Sequence, residues 1–328
     1  MIYITGDTHG DFSRFSNRTM KKEGNELTEN DYMIICGDFG LCWIKDKTFD
    51  YNCEFFANKK YTTLWVQGNH DNYDMIAEYP VEEWHGGKVR HIVRDKVILL
   101  ERGQVFEIEG RTFFTFGGAS SHDVEGGILN RDDIDFDVDR RIAIENKLPF
   151  RIAHESWWEE ELPDEAEMTE GWVNLEKQAY KVDYVITHCC DTQTQNKINE
   201  IKNLAYEADE LTDYLDAVNK KISYRHWFFG HYHLDMKIDE RHTLLYYDVV
   251  SLTELEKLYS KPILGQPRYT RGNKVRANIN GEEMTGTIFG INPNGSLAQN
   301  EEPSYDILVE NVGLFKEICE SLIACRDE

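Results

Sequence analysis

Five short apolar runs along the chain stop abruptly at polar residues of one chemical kind. They read "IYITGDTH" around Asp7 and His9, "YMIICGDFG" around Asp38, "LWVQGNHD" around Asn69 and His70, "YVITHCCD" around His188, and "WFFGHYH" around His231 and His233. Each run has the length of a buried strand, and Gly6, Gly37, Gly68 and Gly230 supply permissive backbone for a sharp exit. In open α/β sheets the loops at the carboxyl ends of the strands form the ligand-binding edge, so the five exits are predicted to converge.

The pattern between and after these runs predicts further elements. "VRHIVRDKVILLERGQVFEIEGRTFFTFGGASSHD" reads as consecutive strands with a turn at Glu109 and Gly110. Ile198, Ile201, Ala205, Ala208, Leu211, Leu215, Val218 and Ile222 recur at intervals of three and four, which predicts one amphipathic helix or two with a kink. Residues 125–172 are richer in acidic runs and hold Arg140, Arg141, Trp157 and Trp158. Such an insertion sets selectivity in many enzymes: the tryptophans are candidates to stack a base or to pack a lid, and Arg140 or Arg141 to grip a phosphate. Beyond residue 268 short β runs alternate with Gly, Asn and Pro turns, as expected for a small barrel resembling an SH3 module, closed by "LFKEICESLI" as a helix or a final strand.

Composition narrows the classes. With 328 residues and 41% hydrophobic side chains, the chain can bury one large core and a small appendage. A formal net charge of -24 disfavours general binding to a phosphate backbone. Lys261, Arg268, Arg271, Lys274 and Arg276 form a local basic island that could touch nucleic acid, though a structural appendage is the favoured reading. Seven cysteines without a CxxC pair fit reduced thiols. The opening apolar run is only Ile2 to Ile4, which predicts neither a secretion signal nor a membrane span, and a cytoplasmic location is expected.

The donors at the five exits carry the chemistry. Residues two apart on an extended chain point to the same side, so Asp7 with His9, and His231 with His233, can bind one ion together. Carboxylate, imidazole and one amide suit manganese in a catalytic site, with iron, zinc or nickel as alternatives. Seven donors, Asp7, His9, Asp38, Asn69, His188, His231 and His233, exceed what one tetrahedral ion needs. Two divalent ions sharing a carboxylate, with Asp38 as the bridge, is the economical arrangement. A lone Gly-Asp is usually a turn and a lone His at a strand end is usually solvated; the ordered set is what carries weight.

That ordered set resembles the signature of the calcineurin-like metallophosphoesterases: Asp-x-His, Gly-Asp, Gly-Asn-His, His and Gly-His-x-His, all present in order across residues 1–250. The resemblance implies a four-layer α-β-β-α sandwich of mixed α/β class over residues 1–256, interrupted by the insertion at 125–172 and followed by the small β domain at 268–328. It implies that one ion takes Asp7, His9, Asp38 and His233, the other Asp38, Asn69, His188 and His231, and that His70 stays off the metals and faces the leaving group as the catalytic residue. Hydroxide bridging the ions would then attack the phosphorus of a mono- or diester directly. Ser121, His122 and Asp123 are candidates to lie near the metals, an ordinary polar turn being the alternative. The branch of protein serine/threonine phosphatases carries Gly-Asp-x-x-Asp-Arg-Gly in the second block, whereas "GDFGLCW" has Leu41 and Cys42 there. A carboxylate orienting His70 must then come from elsewhere, with Asp71 and Asp74 as candidates. Nuclease or cyclic-nucleotide phosphodiesterase activity is the rival enzyme reading, and a catalytically quiet, metal-stabilised scaffold the rival of another class.

Overall fold

The computed structural model describes residues 1–16, 27–260, 266–296 and 302–326, so Lys261 of the basic island lies outside the described residues. The chain divides into two compact units, Met1–Val249 and Val250–Glu328.

In the first unit the strands are β1 (Ile2–Thr5), β2 (Tyr32–Ile35), β3 (Thr62–Trp65), β4 (Val81–Trp84), β5 (Gly87–Val93) and β6 (Val97–Leu100). They continue as β7 (Gln104–Ile108), β8 (Arg111–Phe116), β9 (Ile128–Leu129), β10 (Arg151–Ile152), β11 (Tyr184–Thr187), β12 (His226–Phe229), β13 (Met236–Lys237) and β14 (His242–Leu244), and β15 (Val249–Ser251) begins at the last residue of the unit. One sheet has the order β15-β1-β2-β3-β6-β5-β4 and a second the order β13-β14-β12-β11-β8-β7. In each the middle is parallel: β1, β2, β3 and β6 in the first, β8, β11, β12 and β14 in the second. Strands β1, β3, β6, β11 and β12 are buried at every residue, as parallel strands covered on both faces must be, which explains their apolar runs.

Register fixes where the exits fall. Thr5 lies beside Ile35, Ile35 beside Trp65, and Ile186 beside Phe228, so all five predicted exits leave at the carboxyl ends of their sheets. The hairpin of β7 and β8 turns at Glu109 and Gly110 with φ of 53° and 71°, the left-handed pair that a tight primed turn requires. The predicted helical stretch is two helices, Thr192–Lys202 and Glu210–Lys221. Asn203 ends the first in the left-handed region at φ 52°, and Asp209 starts the second by accepting the Thr212 N–H.

The insertion holds the two-residue parallel ladder of β9 and β10, the helix Phe136–Glu145 and the start of the helix Glu165–Lys177. Trp158 is core: it is 1% exposed, meets Trp43 edge-on, and donates its indole N–H to Asp74 at 2.8 Å. Arg140 and Arg141 are exposed on the helix Phe136–Glu145. Among the described residues no helix is long and apolar enough to cross a membrane.

The second unit carries the helix Leu252–Ser260 and a five-stranded antiparallel sheet. Its strands are β16 (Lys274–Ile279), β17 (Glu282–Asn292), β18 (Ser304–Val309), β19 (Gly313–Cys319) and β20 (Ile323–Arg326), in the order β19-β18-β17-β16-β20. Asn280 and Gly281, both at positive φ, make the first hairpin turn, and burial alternates strictly along β16. The closing segment is strand throughout except for one tight turn at Glu320–Leu322. Arg268 is ion-paired with Glu320 at 3.1 Å and Arg276 faces Glu283 at 3.6 Å, so part of the basic island is neutralised locally.

Candidate metal centre

The exits are tied together by their own backbones. Thr8 and His9 donate their N–H groups to the Asp38 carbonyl, His70 donates its N–H to Asp38 Oδ1 at 2.7 Å, and the His231 N–H reaches both oxygens of Asp7 at 3.0 Å. His188, next after β11, holds the Cys36 carbonyl with Nδ1 at 2.8 Å. The glycines let these loops touch: a Cβ on Gly37 would lie 2.7 Å from the Cβ of His188, and one on Gly68 would lie 2.8 Å from Cγ of Asp38. His9, Asp38, His231 and His233 occupy the left-handed region, at φ of 46°, 45°, 70° and 51°. Backbone strain of that kind, about 1–3 kcal/mol for each residue, gathers where side chains must be aimed at a common point.

All seven proposed donors come together. The first sheet brings Asp7, His9, Asp38 and Asn69, the second brings His188, His231 and His233. Donor atoms of Asp7, His9, Asp38 and His233 lie within 4.8 Å of one another. Within that group the Nε2 atoms of His9 and His233 are 2.8 Å apart, and His233 Nε2 is 3.4 Å from Asp7 Oδ2. On the other side Asn69 Oδ1 is 3.2 Å from His188 Nε2 and 3.2 Å from His231 Nδ1. Asp38 Oδ2 stands between the halves, 3.7 Å from His9 Nε2 and 3.4 Å from His188 Nε2. That oxygen is buried and, with His188 Nε2 at 3.4 Å, has no well-formed hydrogen bond, which in a folded protein is costly unless something else satisfies it. A cation there would satisfy it, and the donor set of oxygen and imidazole suits divalent transition metals.

Charge in the pocket points the same way. Burial works to raise the Asp38 carboxyl, yet the imidazoles of His188, His70 and His9 hold it below the usual carboxylate range. Burial works to lower His188, but Asp38 and Asp7 push it up to about 9. Two buried carboxylates thus draw positive charge to the place where a cation would sit. Cys189 and Cys190 are buried, and burial pushes their thiols up, as suits small core residues.

Around the donors, Asn69 gives its amide N–H to Ser121 Oγ at 3.1 Å, and Ser121 gives its hydroxyl to Glu161 at 2.7 Å, which turns the Asn69 oxygen toward His188 and His231. The loop of Ser121, His122 and Asp123 therefore lies beside the centre: His122 is 5.3 Å from the His231 ring and Asp123 binds Arg151. His70 lies edge-on to His9 at 5.3 Å. Neither candidate carboxylate orients its ring. Asp71 accepts the N–H groups of Gly40 and Gly68 and is pushed up to about 7 by burial and by Asp38, while Asp74 is taken by Trp158 and His154. What meets His70 is the guanidinium of Arg151, at 3.3 and 3.4 Å from its two ring nitrogens. Burial and this cation lower the His70 imidazole, with Asp38 opposing. Arg151 and Glu161 escape a reading of the sequence because each reaches the centre from the insertion, and a lone Arg in "FRIA" marks only a strand.

The calcineurin-like phosphoesterase family profile matches residues 1–235. No curated protein matches the chain in sequence. One solved structure, the phosphopantetheinyl hydrolase PptH from Mycobacterium tuberculosis, aligns at 13% identity over 83% of this chain and 98% of its own, with a TM-score of 0.34. That superposition is too loose to bear on chemistry.

Proposed function

The chain belongs to the calcineurin-like phosphoesterase family, and from that premise we propose that residues 1–256 form a hydrolase of phosphate mono- or diesters working with two divalent cations, manganese foremost. The observation that carries this reading is the buried, unsatisfied Asp38 Oδ2 standing between two clusters of donors. Asp7, His9, Asp38 and His233 would hold one ion, and Asp38, Asn69, His188 and His231 the other. When bound, such a pair lowers the pKa of a water to supply the nucleophile and neutralises the charge of the phosphate.

The chain's own residues do the rest. Asp38, fixed by the His70 N–H, sets the separation of the two clusters. The Ser121 and Glu161 relay keeps the Asn69 oxygen facing inward. His70, which is not among the donors, sits beside them and gives its proton to the departing oxygen. His9 and His233 are the exposed members, with 30% and 47% of their side chains open, so substrate enters over them. In the same reading the two sheets of the first unit pack face to face between helices, and the sheet at 268–328 is an SH3-like module.

The test is hydrolysis of p-nitrophenyl phosphate, bis(p-nitrophenyl) phosphate and cyclic nucleotides by metal-free protein reloaded with Mn, Ni, Zn or Mg, with metal content measured in parallel. About two ions per chain and metal-dependent turnover are expected. A folded protein that binds two ions and hydrolyses none of these esters would make the quiet scaffold the better account.

A further inference from the structure

Beside the proposed donors stands a cation of the protein itself, Arg151, that metal binding does not use. Arg151 lies on β10, and its side chain is 12% exposed. Nε and one terminal nitrogen grip the Asp123 carboxylate at 2.9 and 2.7 Å, and the other terminal nitrogen donates to the Ser156 carbonyl at 3.3 Å. Each terminal nitrogen has one N–H left, and both are aimed at the His70 ring, at 3.4 Å from Nδ1 and 3.3 Å from Nε2. A neutral imidazole accepts at one nitrogen, and an imidazolium at neither. At least one of these N–H groups therefore faces a partner that cannot accept it. Two parallel guanidinium N–H groups match two oxygens of a single oxyanion.

Counting oxygens then separates the substrates. A phosphodiester has two non-bridging oxygens and one charge. A phosphomonoester has three and, near neutral pH, close to two charges. If two oxygens face the metal clusters, only a monoester has another to offer. Resting on the phosphoesterase reading above, we propose that Arg151, held in place by Asp123, binds the non-bridging oxygen of a phosphomonoester that the metal clusters leave free, its second N–H reaching a neighbouring oxygen of the same phosphate, and that this makes the enzyme prefer monoesters over diesters. The ladder of β9 and β10 thereby explains what the insertion contributes, since it carries the substrate-binding cation to the His70 side of the centre.

The test uses the full chain loaded with Mn, as wild type, Arg151→Lys and Arg151→Ala. Two quantities are read: the ratio of kcat/KM on p-nitrophenyl phosphate to that on bis(p-nitrophenyl) phosphate, and the affinity for inorganic phosphate by calorimetry. Circular dichroism and metal content establish that each variant is folded and loaded. Arg151→Ala is expected to lower kcat/KM on the monoester about 10- to 100-fold, the scale of lost charge-assisted hydrogen bonds, and to lower that on the diester no more than about 3-fold. Inorganic phosphate should bind at least about 10-fold more weakly, with Arg151→Lys intermediate because it keeps the charge and loses the fork. Equal losses on both esters, or unchanged phosphate affinity, would overturn the assignment and leave Arg151 as a fastening of the insertion. If Arg151→Ala does not fold, Arg151→Lys decides on the same readouts. If the wild type hydrolyses neither ester, the proposed activity fails, and phosphate calorimetry alone decides the role of Arg151.

Discussion

Replacing Gly68 by alanine adds one methyl group in the most crowded part of the centre. Gly68 lies outside the left-handed region, so backbone freedom is not what demands glycine there. Space is. The new Cβ would stand 2.8 Å from Cγ of Asp38 and 2.5 Å from its backbone nitrogen, with Oδ1 nearer still. Carbon atoms settle at about 3.5 Å or more, so the carboxylate would have to retreat by at least about 0.7 Å. It cannot do so by rotation, because Oδ1 is held by the His70 N–H and the whole side chain is buried. The loops carrying Asp38 and Asn69 would have to part. Metal–ligand distances tolerate only about 0.2 Å, so a displacement of this size at the shared ligand should empty at least one metal position. Overpacking of this kind costs about 1–3 kcal/mol, which corresponds to a fall in melting temperature on the order of 5 °C. The assay is metal content after gel filtration, read together with thermal melting of the metal-free protein and turnover of p-nitrophenyl phosphate. Two ions retained at full activity with an unchanged melt would show that the contact between these loops is soft, and the argument for a mutually wedged centre would be refuted.

Other consequences are open to direct measurement. Asp38→Asn removes the charge of the bridging oxygen, and the protein should retain at most one ion per chain in equilibrium dialysis against Mn; two ions at full activity would rule out the bridge. His70→Ala should keep both ions and slow turnover of alkyl phosphates by about 10²- to 10⁴-fold, with a smaller loss on p-nitrophenyl phosphate, whose leaving group needs little protonation; equal losses on both would count against a proton donor. Asp239 accepts from Lys197 Nζ, from His242 Nδ1 and from the N–H groups of Arg241 and His242; burial alone would raise its carboxyl, but these partners hold it below its ordinary value. A depressed carboxyl stabilises the fold above its unfolded pKa of about 3.9 and loses that contribution as pH falls toward the folded value. The stability gap between wild type and Asp239→Asn in urea titrations should therefore be complete at pH 7 and shrink below about pH 4; a gap independent of pH would exclude this origin.

The centre was legible in the sequence because each of its parts is local. A buried strand and one or two donors are contiguous in all five exits, with a glycine between them in four, and the parallel register of the sheets does the converging. What was illegible is what depends on contacts between distant segments. Arg151 is 81 residues from His70, and nothing near it in the chain marks it, whereas the adjacent Arg140 and Arg141 drew attention by composition and are solvent-exposed. Asp71 and Asp74 were near His70 in sequence but are spent on loop backbone and on Trp158. In "LFKEIC", Leu314, Phe315 and Ile318 have a spacing that suits a helix, yet pairing with β18 draws the segment into the sheet. Two helices in the long amphipathic stretch were among the readings the sequence allowed, but the place of the break, at Asn203, was hidden because periodicity runs on through a connection whose cap residues are polar.

His9 and His233, whose ring nitrogens are 2.8 Å apart, are 224 residues apart in the chain. The donors of the first sheet have all been made once residue 69 is in place, but those of the second begin only at residue 188. The loops that bring them together are expected to close late, since non-local contacts reward the chain only after its ends have been brought near. Occupancy of the centre should therefore act as a clock for assembly. In refolding followed by the optical spectrum of bound cobalt, the metal signal should lag the burial of the tryptophans, and a chain stopped short of His231 should bind cobalt weakly and without the spectrum of the complete site.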